Sequence, residues 1–170
     1  MLFFRALYFL LWIDLLSTSK QAFAQYQSIH KGTADRVIIF VHGLFGDPST
    51  SFSAGPNNPS WPELMSTDGE GIGDAKPLSA YTIATFSYPA KCSDGLSIPE
   101  VANYLMRELQ DKRVLEGGTK LYFIAHSLGA IVVKQMLIRA HNANGADRDL
   151  FTQTKGVFPN SNTIGRFSAS

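Results

Sequence analysis

Short unbroken apolar runs alternate along this chain with longer stretches whose apolar residues recur at every third or fourth position. Arg36 to Val41 reads R-V-I-I-F-V, a β-branched run typical of a strand buried on both faces of a parallel sheet. It stops at the glycine-punctuated turn His42-Gly43-Leu44-Phe45-Gly46-Asp47-Pro48. Ser49 to Gly73 is rich in Ser, Gly, Pro and Asn and reads mostly as loop. Within it, Ser60-Trp61-Pro62-Glu63 has capping-box spacing and opens a short helix through Leu64 and Met65. Tyr81 to Tyr88 predicts a second strand, closed by Pro89. A second capping box, Ser97 to Glu100, precedes Ile98, Val101, Leu105 and Leu109, which line one face of an amphipathic helix. After Gly117-Gly118 comes a third strand, Lys120 to Ala125, and then a sharp turn at His126 to Gly129. Ala130 to Ala140 is apolar nearly all round, Lys134, Gln135 and Arg139 being exceptions, so it predicts a largely buried helix. A fourth strand begins near Thr154. Strand alternating with helix predicts an α/β fold, with a mainly parallel sheet and helices on both faces.

The N-terminus has a different pattern. Met1 to Leu16 is mostly apolar, with Arg5 near the front and Asp14 interrupting the run. Its apolar core, Ala6 to Ile13, is too short to span a bilayer comfortably. The polar stretch Ser17 to Gln21 and the small-x-small Ala22-Phe23-Ala24 complete the pattern of a secretory signal peptide, residues 1–24, cut after Ala24. The alternative is an uncleaved N-terminal membrane anchor. No cysteine lies near the cut, which argues against a lipoprotein anchor. The expected location is therefore periplasmic or secreted. The remainder divides into a polar lead-in at 25–35, a partial α/β domain at 36–158 and a tail at 159–170 that breaks the pattern.

Composition narrows the partners. Among 170 residues the apolar fraction is 45% and the charged fraction 17%, ordinary for a globular chain. The net charge of +1, with Lys and Arg dispersed, gives no electrostatic footprint for nucleic acid. The single cysteine, Cys92, excludes an internal disulfide and paired-cysteine metal sites.

The chemistry lies in Ala125-His126-Ser127-Leu128-Gly129, between the third strand and the apolar helix. A serine hydroxyl is a weak nucleophile and has to be presented at an exposed, tightly constrained point. A sharp strand-to-helix turn does this and requires small residues two before and two after the serine, here Ala125 and Gly129. Glycine is the usual residue at the first of these positions; alanine keeps the side chain small. The turn also sets the Leu128 N–H at a helix N-terminus, where it can donate to a developing oxyanion. The second donor of such a site sits on a loop after an early strand. Leu44 fits that place, with His42 and Gly43 shaping the loop.

Taken together, I-F-V-H-G-L-F-G-D (Ile39 to Asp47), S-W-P-E-L-M (Ser60 to Met65) and I-A-H-S-L-G-A-I-V-V-K-Q (Ile124 to Gln135) resemble the serine esterase and lipase-like branch of the α/β-hydrolases. Relatives in that branch include serine-active-site-containing proteins and glycolipid-anchor deacylating esterases. The resemblance spans roughly Arg36 to Val157. It implies an α/β-hydrolase fold and a Ser-His-acid triad, with Ser127 as nucleophile and Leu44 and Leu128 as oxyanion donors. It implies no cofactor and no metal, and a small-molecule or lipid ester as substrate, with peripheral lipid contact.

The other triad members are missing from the pattern. In this fold the acid and then the histidine follow the serine. After Ser127 the candidates are Asp147, Asp149 and His141, and His141 ends the very helix that Ser127 opens, about 20 Å away. His30 and His42 precede the serine, and the turn directs His126 away from the hydroxyl. After Phe158 the family pattern, which would reach a Thr-Pro-His-x-Gly-like segment, gives way to P-N-S-N-T-I-G-R-F-S-A-S. The expectation is a C-terminally truncated domain, the N-terminal half of the fold, with an open sheet edge and incomplete packing on the helix after Ser127. Three functions stay open: a serine esterase, a catalytically incompetent binding remnant, and an acyltransferase using the same nucleophile. Asp68 to Asp74 fails cation-loop spacing and reads as solvated loop. Trp61, Phe45 and Phe52 suit an acyl pocket or core packing equally.

Overall fold

The computed structural model describes residues 24–55, 57–71, 75–90 and 96–160. The leader at 1–23, Cys92, Ile72 to Asp74 and the tail from Ser161 lie outside the described residues. Five strands, β1 (Gln25–His30), β2 (Arg36–Val41), β3 (Thr82–Ser87), β4 (Lys120–His126) and β5 (Thr154–Asn160), form one sheet in the order β1-β3-β2-β4-β5. Among the described residues four α-helices accompany them: α1 (Trp61–Thr67), α2 (Ile98–Asp111), α3 (Leu128–Asn142) and α4 (Ala146–Gln153). The protein is an α/β fold on a mixed sheet. β2 runs parallel to β3 and β4, β4 runs parallel to β5, and β1 runs antiparallel to β3.

Strand β2 sits between β3 and β4, and its residues face the core on both sides. Val37, Ile39 and Val41 pack with Leu105, Leu109, Val132, Val133 and Met136 of α2 and α3. Ile38 and Phe40 point the other way, toward Phe52 and Ile83, with Met65 of α1 packed against them. That period of two, apolar on both faces, explains the unbroken run in the sequence. Both capping boxes form. The backbone N–H of Ser60 donates to the Glu63 carboxylate at 2.7 Å, and that of Ser97 to Glu100 at 2.7 Å. Each satisfies a donor at a helix start that would otherwise lack a partner.

Three expectations need correcting. The polar lead-in contains strand β1, an edge strand in which Tyr26 is buried while Gln25, Gln27 and Ser28 face solvent. One buried position is enough to dock an edge, but too few to show as alternation. Likewise, β5 carries strand structure through Pro159 and Asn160, beyond the point where the family pattern fades. Finally, α3 is buried on one face only. Ile131 and Ile138 are 52% and 47% exposed, on the side away from the core. Residues of α3, α4 and β5, among them Ala130, Leu137, Ile138, Phe151 and Val157, line an open apolar groove of about 490 Å³ there.

Candidate active site

Strand β4 delivers Ser127 to the point where the chain turns into α3. Ser127 adopts φ 50° and ψ −120° as the residue preceding the helix, a conformation that L side chains rarely take. Such backbone strain costs about 1–3 kcal/mol and persists only where the surroundings enforce it. Here they do. Ala125 is fully buried beneath the turn and pairs with Val41 of β2, and the Ser127 N–H donates to the Asn160 carbonyl of β5 at 3.2 Å. The Ser127 residue itself is exposed.

Two glycines let the chain close around this point. A Cβ on Gly129 would stand 2.5 Å from the carbonyl oxygens of both Val41 and His42, so the first turn of α3 touches the exit of β2 backbone to backbone. A Cβ on Gly43 would stand 2.9 Å from the Ser127 Cβ. The loop after β2 and the turn after β4 therefore meet at the serine. The structure brings together Ser127 and Gly129 with His42 and Gly43, and Leu128 and Leu44 are the chain neighbours of these residues.

The loop after β2 is tied down from several sides. Asp47 accepts from the backbone N–H groups of Ser49 and Thr50 at 2.8 and 3.0 Å, and from both hydroxyls. Those bonds, led by the Ser49 hydroxyl, hold its carboxyl down at about 2. Phe45, at φ 58°, donates its N–H to the Ala90 carbonyl at 3.1 Å. Among the described residues no acceptor takes the N–H of Leu44 or of Leu128. The first-turn amides of a helix are free by geometry, and α3 directs a positive dipole end toward Ser127.

His42 is buried at 1% exposure, and burial pushes its imidazole below the ordinary histidine range. His126 lies beside Gly43, with its ring 6.5 Å from Phe52, and its buried Nδ1 has no partner among the described residues. His30 is remote, its Nε2 donating to the Ser79 carbonyl at 2.7 Å. The three residues that follow the serine are not brought to it. His141 is exposed at the far end of α3, its ring 4.7 Å from Phe151. Asp147 accepts from Gln110 of α2, and Asp149 lies in the exposed first turn of α4. Two residues of the site escape sequence reading, Tyr88 and Ala90, which hold the loop from the exit of β3.

Among the described residues no group of three His, Cys, Asp or Glu side chains is placed to hold a metal ion, and no helix is long and apolar enough to cross a membrane. The chain matches no protein-family model and no curated protein. Among solved structures it is similar to a lipase-esterase related protein from Clostridium acetobutylicum ATCC 824, with 11% identity and a TM-score of 0.45. That likeness covers 68% of this chain, which spans 41% of the other protein's length.

Proposed function

We propose that this chain carries the nucleophile and oxyanion hole of a serine hydrolase of the α/β-hydrolase fold, acting on carboxylic esters. The observation that carries the reading is the Ser127 backbone, at φ 50° and ψ −120° between a parallel strand and a helix, with Gly43 against its side chain. That strain has a use if the hydroxyl must stand clear of the sheet in reach of a substrate. In the proposed reaction Ser127 Oγ attacks the ester carbonyl carbon and loses its proton to a base. The carbonyl oxygen, now negative, is held by the Leu44 and Leu128 N–H groups. Collapse expels the alcohol and leaves an acyl-enzyme on Ser127, which water then hydrolyses. An acceptor alcohol in place of water would make the same site an acyltransferase. Among the described residues after Ser127, none is placed to serve as the base or acid of this scheme, since His141, Asp147 and Asp149 all lie away from the hydroxyl.

That last point favours a second reading, a binding remnant with an inert serine. Intact-mass analysis after incubation with an activated short-chain ester separates the two. The hydrolase reading expects one acyl adduct, mapped to Ser127; the remnant reading expects unmodified protein. Product analysis with added alcohol divides hydrolysis from transfer. We also propose export, with the leader removed after Ala24 immediately before β1. N-terminal sequencing that returned Met1 from the mature protein would contradict it.

A further inference from the structure

The geometry points to Tyr88 and His42 as a positioning pair that aims the Leu44 N–H at the oxyanion. The inference rests on the hydrolase reading for its purpose, but not for its geometry. The two rings stack with centroids 4.3 Å apart and planes at 13°. The Tyr88 backbone N–H donates to His42 Nε2 at 3.0 Å, and the Tyr88 hydroxyl donates to the His42 carbonyl at 2.8 Å. On its other side, His42 Nδ1 lies 2.9 Å from the Gly43 carbonyl oxygen.

These contacts fix the tautomer. Nε2 faces a main-chain N–H and can only accept, so the single proton of the neutral ring sits on Nδ1 and is donated to Gly43 O. The Gly43 oxygen also accepts from the Gly46 N–H at 3.3 Å. In a trans peptide the C=O and the following N–H point in opposite directions. The chain has no cis peptide among the described residues, so anchoring Gly43 O on one side turns the Leu44 N–H to the other. Tyr88 thus acts on the oxyanion donor in two ways: its backbone N–H sets the His42 proton that anchors the Gly43 peptide plane, and its hydroxyl holds the His42 carbonyl at the start of that loop. It is a positioning residue and touches no reacting atom.

A charged His42 would present a second N–H to the Tyr88 N–H and undo the arrangement. The groups that face His42 are Asp47 from its own loop, His126 from the end of β4, and Tyr88 from β3. Tyr88 stays neutral, since burial pushes its phenol up to about 12.

Side-chain geometry supplies a test. Asparagine at 42 keeps a donor where Nδ1 stands but lacks the acceptor. Glutamine keeps an acceptor where Nε2 stands but lacks the donor. The rate of fluorophosphonate reaction at Ser127 should fall about hundredfold in His42→Gln, as for loss of one oxyanion donor, and about tenfold or less in His42→Asn. Tyr88→Phe keeps the stacked ring and should slow the reaction about tenfold while leaving reversible ester binding unchanged. Equal losses in the two His42 variants, or a smaller loss in His42→Gln, would overturn the inference.

A second arm needs no activity. Nitrogen NMR of the folded wild-type chain at pH 7.5 should show His42 protonated on Nδ1 alone. The Leu44 amide resonance should move in Tyr88→Phe while that of Leu128 stays in place. A ring protonated on Nε2, or an unmoved Leu44 amide, would overturn the pair outright. Wild-type protein that fails to react at Ser127 refutes the hydrolase reading, and the NMR arm then decides the pair alone.

Discussion

The two ends of α3 are built very differently. At its N-terminus Ser127, Gly129, Gly43 and His42 meet within van der Waals or hydrogen-bond distance, and the backbone around the two free amides of Leu44 and Leu128 is tied down. At its C-terminus His141 is exposed, and Ile138 and Phe151 stand open on a shallow groove. The first end stores strain and enforces it by close backbone packing. The second holds residue types suited to catalysis, but their contacts, His141 with Phe151 and Asp147 with Gln110, keep them away from Ser127. Position, more than residue type, therefore separates Ser127 from His141 as a candidate for chemistry.

The largest expected effect is at the crowded end. Gly129→Ala places a methyl 2.5 Å from two carbonyl oxygens. It should cost about 3 kcal/mol, read as a lowered urea midpoint at unchanged m-value. Releasing the strain should do the reverse. Ser127→Gly accepts φ 50° without penalty and should gain about 1 kcal/mol, whereas Ser127→Ala keeps the strain and should gain nothing. Equal stability of the two variants would mean that the turn is not strained.

Acid should weaken the same region. Burial holds the folded-state pKa of His42 below the unfolded value of 6.5. The unfolded chain therefore binds the proton more readily, and the stability contribution of neutral His42 is full above pH 6.5 and is lost as pH falls below it. Urea melts between pH 7.5 and 5 should show that slope in wild type and not in His42→Asn. The smallest effects belong to the open end. Ile138→Lys should change stability by less than about 0.5 kcal/mol, and His141→Ala should leave reaction at Ser127 unaltered. A hundredfold loss of reactivity in His141→Ala would erase the contrast between the ends.

This contrast also explains what was legible in the sequence. Strand β2 was readable because both its faces are buried, and α1 and α2 because their capping boxes are local. Strand β1 and helix α4 were not, since each docks through a single buried side chain, Tyr26 and Leu150. At the site, Ser127, Gly43 and Gly129 were readable because a tight backbone approach leaves little choice of residue. Tyr88 was invisible because it works through contacts to a residue 46 positions earlier, which no local spacing records.

On the proposed function, the Ser127 hydroxyl is held ready for acyl chemistry by the enforced turn and by the Leu44 and Leu128 amides. Reaction of the folded chain with a serine-directed fluorophosphonate, compared with Ser127→Ala, tests it most directly. The account predicts stoichiometric labelling that maps to Ser127 and vanishes in the alanine variant. Folded wild-type protein left unlabelled, or labelled equally in both forms, would contradict it.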